Sequence, residues 1–362
     1  MNQLLFFFFI FLIACNSGDK NSVSYYIDVQ NTEPITDVFE NWQAVPLETK
    51  DSVLITDIDK IEVNDDYFFI LDRLVATIFQ FDKNGNFVNK IERQGEGPEE
   101  YLEISDFKWF ENFVYVLSSV NHTIYKYDMT GSFVKSYKLD DYYHRFEFYN
   151  KDTIVLYSAF SNEKKFNFCF YDLVDEKIFA ETSAFDRNEN FIIYKCPFSD
   201  EFSFYKYVYF PYDYSIYELT SESCNPVFRF EFNTIELPDK KISFEEKRKY
   251  SLGKNMIQSF NSIKRMDSTL FVSYNCGGKY YLTKLFLGCE KNSNTYLMNS
   301  KEKEYPFCFA NPLTFYRSFL ISYMPAYGVL TFDEHFHSDK NDLGILDSGD
   351  NPVLFLHKLK VD

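Results

Sequence analysis

A chain of 362 residues with 37 basic against 54 acidic side chains carries a formal charge of −17. Such a surface is repelled by phosphate backbones and anionic headgroups, which argues against nucleic acid and direct headgroup binding. Aromatics make up 20% of the residues, with 42 Phe and 29 Tyr against only 12 Gly and 11 Pro, a balance that suits pleated, half-buried surfaces and excludes disorder.

The chain opens on an apolar run from Leu4 to Ile13 that closes as Leu12-Ile13-Ala14-Cys15. A run of roughly ten residues is too short to span a bilayer, for which about 20 are needed, and it reads as a removable signal. The pattern resembles the lipobox of bacterial lipoproteins, which implies that Cys15 is lipidated and becomes the new N-terminus, with the protein held in the cell envelope. The n-region departs from the usual one, since Met1-Asn2-Gln3 holds no Lys or Arg. We expect a signal peptide with its lipidated cysteine over residues 1–15, a flexible tether over 16–24, and one folded domain over 25–362. No Pro-, Gly- or Ser-rich linker after residue 30 divides it.

Repeats decide the fold. Ile58 to Ile91 reads as a strand, a turn at Asn64-Asp65-Asp66, strands Tyr67 to Asp72 and Thr77 to Asp82, a turn at Lys83-Asn84-Gly85-Asn86, and a strand Phe87 to Ile91. Ile104 to Leu139 repeats that order. Phe81-Asp82, Tyr127-Asp128 and Tyr171-Asp172 fall 46 and 44 residues apart, a period that suits a four-stranded propeller blade. Each aromatic-Asp pair precedes a reverse turn, where the Asp side chain accepts backbone N–H bonds and Gly85 or Gly131 supplies the positive φ.

Later units are weaker, but starts near 58, 104, 146, 205, 262 and 314 give six. The prediction is an all-β, six-bladed propeller of four-stranded antiparallel blades, with Ser24 to Leu47 lending a strand to the last blade so that the ring closes without exposed edges. Pro238 to Ser259 breaks the β pattern with charges and a capping box, Ser243 with Glu246, and predicts a short helix between blades. Besides Cys15, six cysteines remain: Cys169, Cys196, Cys224, Cys276, Cys289 and Cys308. Their spacing fixes no pairing, and isolated buried thiols suit an aromatic core.

Four stretches carry a family resemblance: Val45-Pro46-Leu47-Glu48-Thr49, Phe81 to Val88, Gly95-Glu96-Gly97-Pro98-Glu99-Glu100-Tyr101, and Asn351 to Lys360. They resemble the six-bladed β-propeller lipoproteins of Bacteroidetes, distant relatives of NHL-repeat propellers. The resemblance implies fold and envelope location. In that phylum, acidic residues just after the lipidated cysteine resemble a surface-export signal; here Asn16 to Lys20 offers only Asp19, which leaves surface and periplasm-facing anchoring both open.

Candidate chemistry is sparse. The Gly95 to Tyr101 loop gathers Glu96, Glu99 and Glu100, which could ligate a hard cation such as Ca²⁺, although a Gly-Pro turn between blades explains the same residues. If Thr331 to His337 is a strand, His335 and His337 share a face beside Asp333, two imidazoles of the kind that bind Zn²⁺. No position recurs from unit to unit with the His or acidic residue that a channel metal would need, and His122 reads as a loop residue. GxSxG, HExxH and P-loop patterns do not occur. Tyr142-Tyr143, the tyrosines from Tyr205 to Tyr214, and Tyr280-Tyr281 exceed what core positions require and suggest sugar- or protein-binding faces. The expected function is a lipid-anchored binding module for a glycan, peptide or envelope protein, without catalysis; the alternative is a metal-dependent lyase or lactonase of the NHL-like type with its site in the channel.

Overall fold

The computed structural model describes residues 22–185, 195–200, 202–234, 244–251, 256–288, 293–298, 312–331 and 346–360. Two N-terminal strands, β1 (Val23–Ile27) and β2 (Phe39–Pro46), precede the first complete blade, β3 (Lys60–Val63), β4 (Tyr67–Asp72), β5 (Thr77–Asp82) and β6 (Phe87–Ile91). Blade two is β7 (Asp106–Phe110), β8 (Phe113–Ser118), β9 (Thr123–Asp128) and β10 (Phe133–Lys138). Blade three is β11 (Arg145–Asn150), β12 (Thr153–Tyr157), β13 (Phe166–Asp172) and β14 (Lys177–Ala184). A four-residue helix α1 (Phe202–Tyr205) leads into blade four: β15 (Tyr207–Tyr209), β16 (Ser215–Leu219) and β17 (Cys224–Phe232).

Helix α2 (Phe244–Ser251) separates it from blade five, β18 (Ile257–Met266), β19 (Thr269–Cys276), β20 (Lys279–Phe286) and β21 (Ser293–Leu297). Blade six is β22 (Pro312–Tyr316), β23 (Phe319–Met324) and β24 (Val353–Leu359), with α3 (Ala326–Thr331) between its last two strands.

These are six four-stranded sheets arranged as a six-bladed β-propeller. The first strand of each blade is innermost, and β22, β3, β7 and β11 touch in succession about the axis, as do β18 and β22. The second strand of a blade is apolar at nearly every position because a neighbouring blade covers each face. In β4, Phe68 and Ile70 pack toward blade six while Phe69 and Leu71 pack toward blade two. Six such clusters, one per blade interface, absorb the aromatic excess. A sheet that is dry on both sides needs this composition.

The turn chemistry is as the repeats predict. Asp82 accepts the N–H groups of Asn84 and Asn86, Asp128 those of Thr130 and Ser132, and Asp172 those of Val174 and Asp175. Gly85 and Gly131 sit at φ +86° and +79°. His122 lies in the turn between β8 and β9, its ring edge-on to Tyr142 at 4.1 Å.

Ring closure differs from the expectation of a single donated strand. β2 does complete blade six, antiparallel to β24, but β1 completes blade four, parallel to β17. Between them the chain crosses blade five, where the Glu33 N–H donates to the Thr295 carbonyl at 2.8 Å. The stretch from Ser24 to Leu47 could span at most about 80 Å when extended, enough to serve two blades once Pro34 interrupts it.

The helix expected over Pro238 to Ser259 is shorter, since β18 already begins at Ile257; Ser243 of the capping box lies outside the described residues. Thr331 ends a helix and does not start a strand: the Pro325 carbonyl accepts from Gly328 and Val329 and turns the chain out of the sheet. Cys169, Cys196, Cys224 and Cys276 are free thiols, and Cys289 and Cys308 lie outside the described residues.

Candidate functional site in the axial channel

Because side chains alternate along a strand, every second residue of an innermost strand faces the axis. In blades one to three, Ile61, Phe107 and Phe146 point into the blade interfaces, almost wholly buried. Their neighbours Lys60 and Glu62, Asp106 and Lys108, and Arg145 and Glu147 occupy the axial positions. Signs alternate along each strand and from blade to blade: Lys60, Asp106, Arg145 in one layer, then Glu62, Lys108, Glu147 in the next.

The layers close into a ladder. Lys60 pairs with Asp106 at 2.6 Å and Glu62 at 3.1 Å; Lys108 pairs with Glu62 at 2.7 Å and also with Glu147. Asp106, fully buried, further accepts the N–H groups of Phe107 at 2.9 Å and Phe146 at 3.0 Å. Burial pushes its carboxyl up, but the charges of Lys60 and Arg145 outweigh that and hold it below the usual carboxylate range. Burial also opposes the charge on Lys108, yet the two carboxylates around it keep its ammonium protonated well above the ordinary lysine value.

The side of the channel belonging to blades four to six is built differently. Before reaching β15, the chain runs inward as Lys195 to Asp200 and pairs with it, the Tyr209 N–H donating to the Pro197 carbonyl and the Ser199 N–H to the Tyr207 carbonyl. This segment ties blades five and six together through Asp200. That carboxylate accepts the Ser262 hydroxyl at 2.5 Å, the Thr314 hydroxyl, and the Phe315 N–H at 3.0 Å. Burial pushes the Asp200 carboxyl up in spite of these donors. The Lys195 ammonium donates to the Asn261 amide oxygen at 2.8 Å, and burial lowers it to about 8.

Between the two sides lies a cavity of about 560 Å³, lined by ladder residues on one flank and by Lys195, Cys196, Ser199 and Asn261 on the other. Axial charge recurs through blades one to three but with alternating sign, so it is not the repeated His or acidic position that a channel metal would need. It rests on the Lys-x-Glu, Asp-x-Lys and Arg-x-Glu of the first strands, which the aromatic-Asp register of the third strand does not mark. The inserted Lys195 to Asp200 segment has no such signal, since the partners of its Lys195 and Asp200 side chains lie 62 to 115 residues away in sequence.

The residues singled out from sequence lie elsewhere. Glu96 and Glu99 are exposed, whereas the Glu100 carboxylate turns back to accept the Gly97 N–H at 2.9 Å. Gly95 leaves the room for it, since a Cβ there would lie 1.9 Å from the carboxylate. The loop is further closed by Tyr101, whose buried hydroxyl accepts the Arg93 N–H at 3.0 Å and lies 3.0 Å from the Ala76 carbonyl. None of the three glutamates lines the axial cavity. Asp333, His335 and His337 lie outside the described residues, and among the described residues no three His, Cys, Asp or Glu side chains converge as metal ligands. The tyrosines expected as binding faces are mostly core: Tyr143, Tyr207, Tyr209, Tyr212 and Tyr281 are buried, and Tyr142 alone of that set is exposed.

A family model described as a domain of unknown function, DUF4934, matches residues 23–358. No curated protein matches the chain. A Bacteroides fragilis protein predicted to be exported superposes with a TM-score of 0.70 at 16% identity, covering 94% of this chain and 100% of its own. A member of the DUF4221 family from Bacteroides vulgatus gives 0.52 at 13% identity, over 90% of this chain and 98% of its own. At these identities the likeness is one of fold.

Proposed function

The chain belongs to the DUF4934 family, and from that premise we propose that it is an extracytoplasmic, lipid-anchored propeller that works by binding a glycan, peptide or envelope protein in its axial channel. The observation that carries this reading is the cavity of about 560 Å³, whose ladder charges are spent on one another. Ion pairs shared between blades hold the walls in place, and a preformed cleft whose polar groups are fixed on a rigid scaffold suits ligand recognition.

Envelope location is supported by the lipobox-like Leu12-Ile13-Ala14-Cys15 and by the fold shared with a Bacteroides protein predicted to be exported. The propeller architecture agrees with the resemblance to Bacteroidetes lipoproteins of the NHL-like type. Membrane attachment would run through the lipid on Cys15, with the protein facing either the periplasm or the exterior.

The test is a melting-temperature screen of the purified protein against glycan fragments and short peptides, with a pulldown from envelope extract alongside. A ligand raises the melting temperature by stabilising the folded state, and unchanged product analysis shows that it leaves unaltered. Silence in both assays, or turnover of a bound compound, overturns the reading. Cys15→Ser should move the protein out of the membrane fraction.

A further inference from the structure

The ladder accounts for Lys60 and Lys108 but leaves two other cations of the same cavity without a carboxylate within ion-pair distance among the described residues. Arg145 is only 8% exposed. Its guanidinium donates from Nη1 to the carbonyls of Ser105 at 2.6 Å and His144 at 2.7 Å, and no other bond from the described residues engages its remaining N–H groups. Lys195 donates to a neutral amide oxygen alone, which leaves two ammonium hydrogens. Two more donors on the cavity wall are unspent: the buried Ser199 hydroxyl and the Trp109 indole N–H have no hydrogen-bond partner among the described residues. The nearby acceptors are already engaged, Asp200 by three donors and Asp106 by Lys60 and two backbone N–H groups.

A wall that has used its acceptors and kept its donors calls for a ligand rich in acceptors. Two of those donors are cationic and held in a narrow, partly desolvated space, where charge-assisted bonds are roughly twice as strong as neutral ones. We infer that the cavity between Arg145 on the ladder side and Lys195 and Ser199 on the facing flank is an oxyanion subsite, which takes a carboxylate, sulfate or phosphate group of a small polar ligand. Arg145 would meet two oxygens with its planar fork while Lys195 acts as a point charge. This deepens the binding-module reading and rests on it. Cys196 supplies a reporter: its thiol lines the same cavity and lies within electrostatic reach of both Lys195 and Arg145.

The experiment follows alkylation of Cys196 by peptide mass mapping in sodium sulfate, sodium phosphate or glucuronate, against sodium chloride at matched ionic strength and against glucose. With an anion at about ten times its Kd, alkylation should slow roughly tenfold. Chloride and glucose should leave it unchanged. In Lys195→Met the ratio of rates with and without anion should fall to about one, and in Arg145→Lys, which keeps the charge but loses the fork, protection should weaken without vanishing. Wild-type rates under all three anions that equal the rate in chloride overturn the inference, a result that needs no variant to fold. Undiminished protection in a cooperatively melting Lys195→Met overturns it as well. If a neutral saccharide or peptide raises the melting temperature while anions fail to protect Cys196, the oxyanion subsite falls and the binding module stands. Anion protection with silence in the saccharide, peptide and pulldown assays leaves the subsite standing and removes the wider reading.

Discussion

Blades one to three and blades four to six solve the same problem of ring cohesion by different means. The first three are built from consecutive strands and share an ion-paired ladder along the axis. In the second three, blades four and six take their outer strands from the N-terminus, and the axis is bridged by the inserted segment ending in Asp200. The difference separates charge that holds the ring from charge that remains available. Where carboxylates and cations alternate they neutralise one another, while opposite the ladder Lys195 meets only an amide. A rigid wall facing a donor-rich wall is a cleft with a preference.

The largest effect should come from the closing strands. Removing residues 22–47 strips the outer edge from blades four and six and takes away Tyr25, Ile27, Phe39 and Val45, all buried. Losing four large buried side chains at roughly 2–5 kcal/mol each rivals a typical total stability of about 5–15 kcal/mol. Circular dichroism melting should show no cooperative transition. A truncated protein that melts as sharply as the whole chain would show that the second three blades cohere without borrowed strands.

Next in size is the ladder. Lys108→Met strips Glu147 of its ion-pair partner and leaves Glu62 held only by Lys60, with the two carboxylates at 12% and 19% side-chain exposure. Removing one partner of such a buried set costs about 3–5 kcal/mol, readable by urea denaturation at pH 7. The loss should shrink on acidification, as protonation relieves the repulsion. Asp200→Asn on the opposite wall should cost far less, about 1 kcal/mol, since burial already disfavours its charge. Equal costs at the two sites would erase the proposed division of labour.

How much of this was legible in sequence follows the same division. The bounds of β4, β5 and β6 coincide with the strands read from residues 58–91 because Asp82 and Gly85 fix the turn locally, and the same holds at Asp128 and Gly131. Local turn chemistry can be read from local sequence. Blades four to six depend on contacts that sequence does not display: β1 pairs with a strand some 205 residues away, and Asp200 reaches Phe315 across 115 residues. The ladder was readable in principle as charged i, i+2 pairs on apolar strands. The surplus tyrosines misled, because a propeller buries aromatics on both faces of its inner strands, which leaves Tyr207 and Tyr209 in the core.

His357 gives a pH-dependent version of the comparison. It lies fully buried in blade six with Nε2 at 3.0 Å from the Ser322 hydroxyl, and burial pushes it down to about 3. The folded protein keeps this ring neutral while the unfolded chain binds a proton below about pH 6.5. Stability is therefore complete above that pH and falls as the solution is acidified toward the folded value, by about 2 kcal/mol at pH 5. Replacing the ring by an uncharged amide, His357→Gln, should flatten that slope, whatever it costs at pH 7. An unchanged slope would place the acid sensitivity elsewhere.

The smallest effect isolates the environment from the backbone. Gly131 of blade two and Gly278 of blade five have nearly the same conformation, φ +79° and +77°. A Cβ on Gly131 would lie 3.3 Å from the Lys90 carbonyl of blade one, whereas nothing lies within 4 Å of one on Gly278. Both alanine variants pay the left-handed penalty of roughly 1–2 kcal/mol, so any excess at Gly131 reports how firmly blade one holds its neighbour. We expect Gly131→Ala to exceed Gly278→Ala by about 0.5 kcal/mol of destabilisation in urea denaturation, a displacement of a few tenths of an ångström against a wall that gives little. Equal midpoints would mean that the turn slides freely over blade one, and that the ladder, not the rim, holds the first three blades in register.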